Sequence, residues 1–231
     1  MKKLLAVILS LIMLTSIMPL ASVTSSAYAG GITGDCIWLL DGTVLTISGD
    51  GDMADYDYNY DYKKAPWGNG ITEVIIEDGV TSVGDCAFHN AQHLTTVKIP
   101  TTVKSIGANA FNGCETLTTI EIPNSVISIG ERTFSYCTLL STVTIPDSVT
   151  TLGEGIFYNC STLFNVTLSK NITTIPDYTF SNCECIRGVI IPEGVTSIGE
   201  FAFEFCKSIS NLTVPKSLKV VKDNAFSHSV L

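Results

Sequence analysis

Phenylalanine recurs every 23 residues, at Phe88, Phe111, Phe134, Phe157, Phe180, Phe203 and Phe226. Proline keeps the same step at Pro100, Pro123, Pro146, Pro192 and Pro215, with Ser169 in the one missed place. A fixed period of this size means that one supersecondary unit is stacked on itself, because a unit so short cannot bury its own apolar face. The chain is therefore expected to coil into a solenoid with one continuous core. Such a molecule works through an extended surface more often than through a catalytic pocket.

One turn shows how. Leu140, Val143 and Ile145 alternate with Thr142 and Thr144, the two-residue period of a short strand with one buried face. Pro146 ends the strand because it has no N–H to give a ladder. Val149 and Leu152 then turn inward on the returning side, Gly153 allows a close bend, and Phe157 and Cys160 fill the interior before the next strand.

Eight cysteines in one chain suggest a disulfide framework, but the period argues otherwise. Cys114, Cys137, Cys160, Cys183 and Cys206 share one column with Ala91 and Ser229, so that column asks for a small side chain rather than a bond. Cys36, Cys86 and Cys185 lie off it, and a Cys36–Cys86 bridge is the pairing that stays open. Gly84, Gly107, Gly130, Gly153 and Gly199 form another column, which also holds Pro176 and Lys222. Proline fixes φ near −65°, so this column does not require positive φ, and close packing between turns is the better reason for glycine.

The full turn reads L-x-x-V-x-I-P-x-x-V-x-x-I-G-x-x-A-F-x-x-C, most completely over Leu94 to Cys114 and Ile186 to Cys206. It resembles the BspA-like leucine-rich repeat of bacterial secreted and surface proteins, over about Ile71 to Leu231. Ser169 for Pro, Pro176 for Gly and Ile156 for Ala depart from the pattern and bear on local shape. The resemblance implies a leucine-rich repeat solenoid: a right-handed coil with short parallel β-strands on one face and loops or short 3-10 or helical turns on the other. It also implies attachment to a protein partner, such as a host extracellular-matrix protein.

The ends do not follow the repeat. Lys2 and Lys3, the apolar run Leu4 to Leu14 and Ala27-Tyr28-Ala29 read as a signal peptide over residues 1–29, which implies a secreted or cell-surface product with no membrane span after cleavage. Removing Lys2 and Lys3 leaves 11 basic groups against 22 acids, a net charge of −11, which repels nucleic acid. Residues 30–70 are assigned to an N-terminal cap, in which Ile37 to Leu40 and Val44 to Ser48 form a β-hairpin joined at Asp41-Gly42. Pro66-Trp67 closes the cap onto the first turn. Repeats then occupy residues 71–231, and the chain is expected to act as a monomer.

Several clusters of polar residues bear on chemistry. The stretch Asp50 to Tyr62 alternates acids with Tyr56, Tyr58, Tyr60 and Tyr62, but Tyr60 and Pro66 stand where a Ca²⁺ loop from Asp55 needs Gly and Glu. It reads as a solvated acidic loop whose tyrosines offer contact anchors, for protein or for carbohydrate. Cys86, His89 and His93 have zinc-like spacing but lack a fourth ligand and fall at outward positions of the repeat. No nucleophile elbow, phosphate loop or triad is present, so neither an enzyme nor a cofactor is expected. What remains is the concave strand face, with Thr96, Lys98, Thr119, Glu121, Thr142, Thr144, Asn165, Thr167, Asn211 and Thr213 pointing outward as candidate contact residues. The competing role is structural, a spacer or a repeat fragment of a larger surface protein.

Overall fold

The computed structural model describes residues 29–57 and 64–230. The expected signal peptide, apart from Ala29, and the loop residues Tyr58, Tyr60 and Tyr62 lie outside the described residues.

The cap starts the coil. Strands β1 (Ala29–Thr33), β2 (Cys36–Asp41) and β3 (Val44–Gly49) form an antiparallel sheet. Asp41 pairs with Val44, so the hairpin turn is Gly42-Thr43 rather than Asp41-Gly42, with Gly42 at φ 58° as a two-residue turn requires. The sequence pattern did not indicate β1, because Gly30-Gly31 lacks the alternation that marks a strand. β3 then pairs in parallel with β5 (Glu73–Ile76), which pairs with β7 (Thr96–Lys98). The column continues through β10 (Thr142–Thr144), β12 (Asn165–Thr167), β14 (Gly188–Ile190) and β16 (Asn211–Thr213). Thr119 makes only an isolated bridge to Thr142, so Thr119 and Glu121 stand in the right column but outside a regular strand.

The returning side carries a second ladder, where only inward-turning loops were expected. Strand β4 (Gly51–Asp52) pairs with β6 (Val80–Val83), followed by β8 (Ser105–Ile106), β9 (Ser128–Ile129) and β11 (Thr151–Leu152). It breaks there and resumes as β13 (Thr174–Ile175), β15 (Ser197–Ile198) and β17 (Val220–Val221). The cause is Pro176. In other turns the N–H of Gly107, Gly130, Gly153, Gly199 or Lys222 donates to the turn before, as Gly153 does to Ile129 at 2.8 Å. Proline has no such donor.

The third side consists of turns, with no helix among the described residues. Its core is a file of stacked rings. Trp67 begins it 5.8 Å from Phe88, and successive Phe centroids follow at 5.1 to 5.8 Å up to Phe226. Trp67 is buried and its Nε1–H donates to the Ala87 carbonyl at 3.0 Å, so it seals the cap onto the first turn. The cysteine column runs beside the rings and is more than filler. Each thiol donates to the phenylalanine carbonyl of the turn before, Cys160 to Phe134 at 3.0 Å and Cys183 to Phe157 at 3.1 Å, and the Ser229 hydroxyl does the same to Phe203. None of the eight cysteines, Cys36 and Cys86 included, is joined in a disulfide. Cys36 instead donates to the Gly51 carbonyl at 3.4 Å.

The glycine column behaves as its exceptions implied. Gly107, Gly130, Gly153 and Gly199 are absent from the residues with positive φ. A Cβ on Gly153 would lie 2.2 Å from the backbone nitrogen of Glu131, so contact between turns excludes any larger side chain there.

Candidate interaction surfaces

On the first strand face, Thr96, Lys98, Thr119, Glu121, Thr144, Asn165, Thr167, Asn211 and Thr213 are exposed and Thr142 is half-buried. Beneath them Val143, Val166 and Val189 are buried, so the alternation read from the sequence holds. Lys98 Nζ lies 2.9 Å from Glu73 Oε1, an exposed pair worth well under about 1 kcal/mol that partly neutralises that end of the face. The face is polar and weakly charged, and Ile190, 72% exposed, is its one large apolar intrusion.

Beside the cap, a cleft of about 300 Å³ is lined by Tyr56, Lys64, Cys86 and His89, among others. Tyr56 is half-buried, its hydroxyl donates to Thr33 Oγ1 at 2.8 Å, and its ring lies 5.3 Å from Trp67. It thus serves the closure of the cap. Cys86, expected at an outward position, is buried, whereas His93 is exposed. Burial holds the His89 imidazole below its ordinary pKa. Among the described residues no group of three or more His, Cys, Asp or Glu is placed to hold a metal ion.

The turn side holds what column-by-column reading missed. Two positions in every turn have left-handed backbone. One column runs Cys86, Asn109, Arg132, Gly155, Tyr178, Phe201 and Asn224; the other runs Asn90, Gly113, Tyr136, Asn159, Asn182, Phe205 and His228. Together with the phenylalanine between them they aim N–H groups at the next turn, as Asn109, Phe111 and Gly113 do to Glu131, Thr133 and Ser135. Asn and Gly suit this conformation; for bulkier residues it costs about 1–2 kcal/mol each. Yet Arg132, Tyr136, Tyr178, Phe201, Phe205 and His228 occupy it.

Four of the rings on this side form an outer file. Tyr136 lies 5.5 Å from Tyr158, Tyr158 lies 6.5 Å from Tyr178, and Tyr178 stacks on Phe201 at 5.2 Å. Tyr136 is 42% exposed and the other three are half-buried. The Arg132 guanidinium sits 5.7 Å from the centre of the Tyr158 ring. Burial and the neighbouring Tyr136 raise the Tyr158 pKa. Ring pairs of this kind return about 0.5–1.5 kcal/mol each, roughly what the left-handed backbone costs. Stability alone therefore does not account for placing aromatics there.

The sequence matches the BspA-type leucine-rich repeat region in six copies, over residues 64–186 and 104–231. The chain belongs to this family. Among solved structures, a leucine-rich repeat protein from Bacteroides ovatus is similar at 25% identity and a TM-score of 0.74, over 91% of this chain and 57% of that one. This chain thus spans little more than half of that relative. The leucine-rich repeat protein of T. pallidum is similar at 22% identity and a TM-score of 0.60, over 82% of this chain and 91% of that one. One from Eubacterium ventriosum gives 18% identity and a TM-score of 0.50, over 89% and 96%. These last two likenesses establish the fold alone. No curated protein matches the sequence. The BspA-type repeat accounts for the Pro, Gly, Phe and Cys columns, and among the described residues no helix is long and apolar enough to cross a membrane.

Proposed function

We propose that this chain is a non-catalytic protein-binding module, displayed at or released from the bacterial cell surface, that attaches to a host extracellular-matrix protein as a monomer. The observation that carries this reading is the strand ladder β10, β12, β14 and β16, which holds Thr144, Asn165, Thr167, Asn211 and Thr213 exposed on a rigid, regularly spaced face. Family membership supports it, because repeats stacked this way expose broad surfaces for contact. The signal-peptide pattern of residues 1–29 supports a location outside the cytoplasm.

The test is binding of the purified chain to immobilised matrix proteins, followed by interferometry. Thr144→Arg together with Thr167→Arg should abolish capture while leaving the melting temperature unchanged. Capture that survives both substitutions removes the strand face from the reading; no capture by any matrix protein favours the spacer role.

A further inference from the structure

The outer aromatic file poses a question that the repeat does not answer. Tyr178 and Phe201 occupy a left-handed column where Asn109, Gly155 and Asn224 are the easier choices, and Tyr136 does so where Gly113, Asn159 and Asn182 are. The interior does not call for these rings, because Phe134, Phe157, Phe180 and Phe203 already fill it. Tyr136 and Tyr158 come from different columns, and left-handed Gly155 lies beside the bases of Tyr158 and Tyr178, whose Cβ atoms an added Cβ there would meet at 3.6 and 3.8 Å, an ordinary contact.

The rim of the file is acidic. Glu131, Glu154, Asp177 and Glu200 form one column along it, and Glu204 is close enough to Tyr158 to act on its hydroxyl. The aspartate of that column serves the fold: Asp177 Oδ1 accepts from the Glu200 N–H at 2.8 Å and pairs with Lys222 at 2.9 Å. The glutamates make no direct contact: among the described residues the carboxylates of Glu131, Glu154 and Glu200 form no hydrogen bond or ion pair, and Glu154 and Glu200 act on Lys222 only at longer range. Arg132 shows what such a surface takes, for it lays its guanidinium on Tyr158 and leaves Tyr178 and Phe201 without a cation.

We infer that the outer file Tyr136–Tyr158–Tyr178–Phe201 and its glutamate rim dock an arginine-rich segment of a protein partner, ring faces receiving guanidinium groups and Glu154, Glu200 and Glu204 pairing with them. The inference rests on the protein-binding reading above but places the contact on the turn side instead of the strand face. Charge complementarity selects the occupant: cation–π contact and carboxylate pairing both favour arginine over a neutral chain.

The experiment titrates the whole chain with a short Arg-Gly repeat peptide, with a Gln-Gly peptide as control, by fluorescence anisotropy. Binding of the arginine peptide alone, weakening as salt rises, is expected. Tyr178→Asn with Phe201→Asn should lower affinity at least about tenfold, without lowering the melting temperature, because Asn suits the left-handed backbone. Arg132→Asn should raise affinity about threefold by freeing the Tyr158 face. Peptide binding unchanged in the Asn double variant overturns the inference. So does absent peptide binding beside retained capture by matrix proteins, which would leave the protein-binding reading standing. So would binding of a neutral oligosaccharide, but not the peptide, that the same double variant abolishes.

Discussion

Two files of aromatic rings run along this solenoid, one inside and one outside. The inner rings are spaced 5.1 to 5.8 Å apart with planes 7° to 26° from parallel. The outer rings are spaced 5.2 to 6.5 Å apart, with planes at 67°, 75° and 11°. Similar spacing, set by the stacking of turns, thus carries two kinds of order. Inside, close packing admits one residue type at one column in every turn. Outside, the backbone demands a left-handed conformation and the side chain is left to vary. A residue there that defies the local preference carries information that a residue in the inner file does not.

The largest effect that separates the two files is alkaline. Burial raises the pKa of the column thiols, with Cys137 and Cys206 pushed up to about 12. Unfolded thiols ionise near pH 8.5, at about the free value. The folded state therefore holds the extra protons. The contribution is complete below the unfolded value and is lost as pH rises toward the folded one. Each such thiol should cost about 1.4 kcal/mol of stability per pH unit. Denaturant midpoints taken at rising pH should fall steeply above about pH 9; a flat profile would break the account of the inner file.

Next comes the ring itself. Phe157→Ala should cost about 4 kcal/mol, as for a fully enclosed aromatic, and Phe226→Ala about half of that, because Phe226 is only half-buried. Equal losses in a denaturant titration would show that burial by the following turn contributes nothing. Cys160→Ala should cost about 1–2 kcal/mol, through the lost volume and the lost S–H donor to Phe134 at 3.0 Å. Alkylation of the native protein should modify exposed Cys185 well before any column thiol, as peptide mapping would show. The smallest effect has the opposite sign. Tyr178→Asn on the outer file should leave stability unchanged or raise it by up to about 1 kcal/mol, since relief of left-handed strain offsets a lost ring contact. A clear loss in melting temperature would mean that the outer rings serve stability after all.

Much of the fold was legible from Phe88 to Phe226 because a repeating core writes the same residue at the same step. The alternation around Val143 and Val166 gave the strand face, and Pro176 in the glycine column ruled out a positive-φ requirement there. Pro176 did not reveal its other effect, the break between β11 and β13, because that depends on an N–H facing the carbonyl of another turn. The left-handed columns left a trace in Asn90, Asn159 and Asn182 and in Asn109 and Asn224, but the aromatic residues between them obscured it. Cys86 was misplaced outward because its column holds Asn109 and Arg132 one and two turns later, whereas in the first turn it is buried and faces the cleft that Tyr56 and Lys64 also line.

By itself the sequence determined that this chain stacks, what fills each turn and that the five column cysteines are core, since periodicity acts through volume and polarity that any one turn already displays. Tertiary structure alone decided which side chains meet across turns. Tyr136, Tyr158 and Tyr178 stand in three different columns, and they become one surface only when the stacking of turns and the left-handed backbone at Tyr136 and Tyr178 bring their rings together.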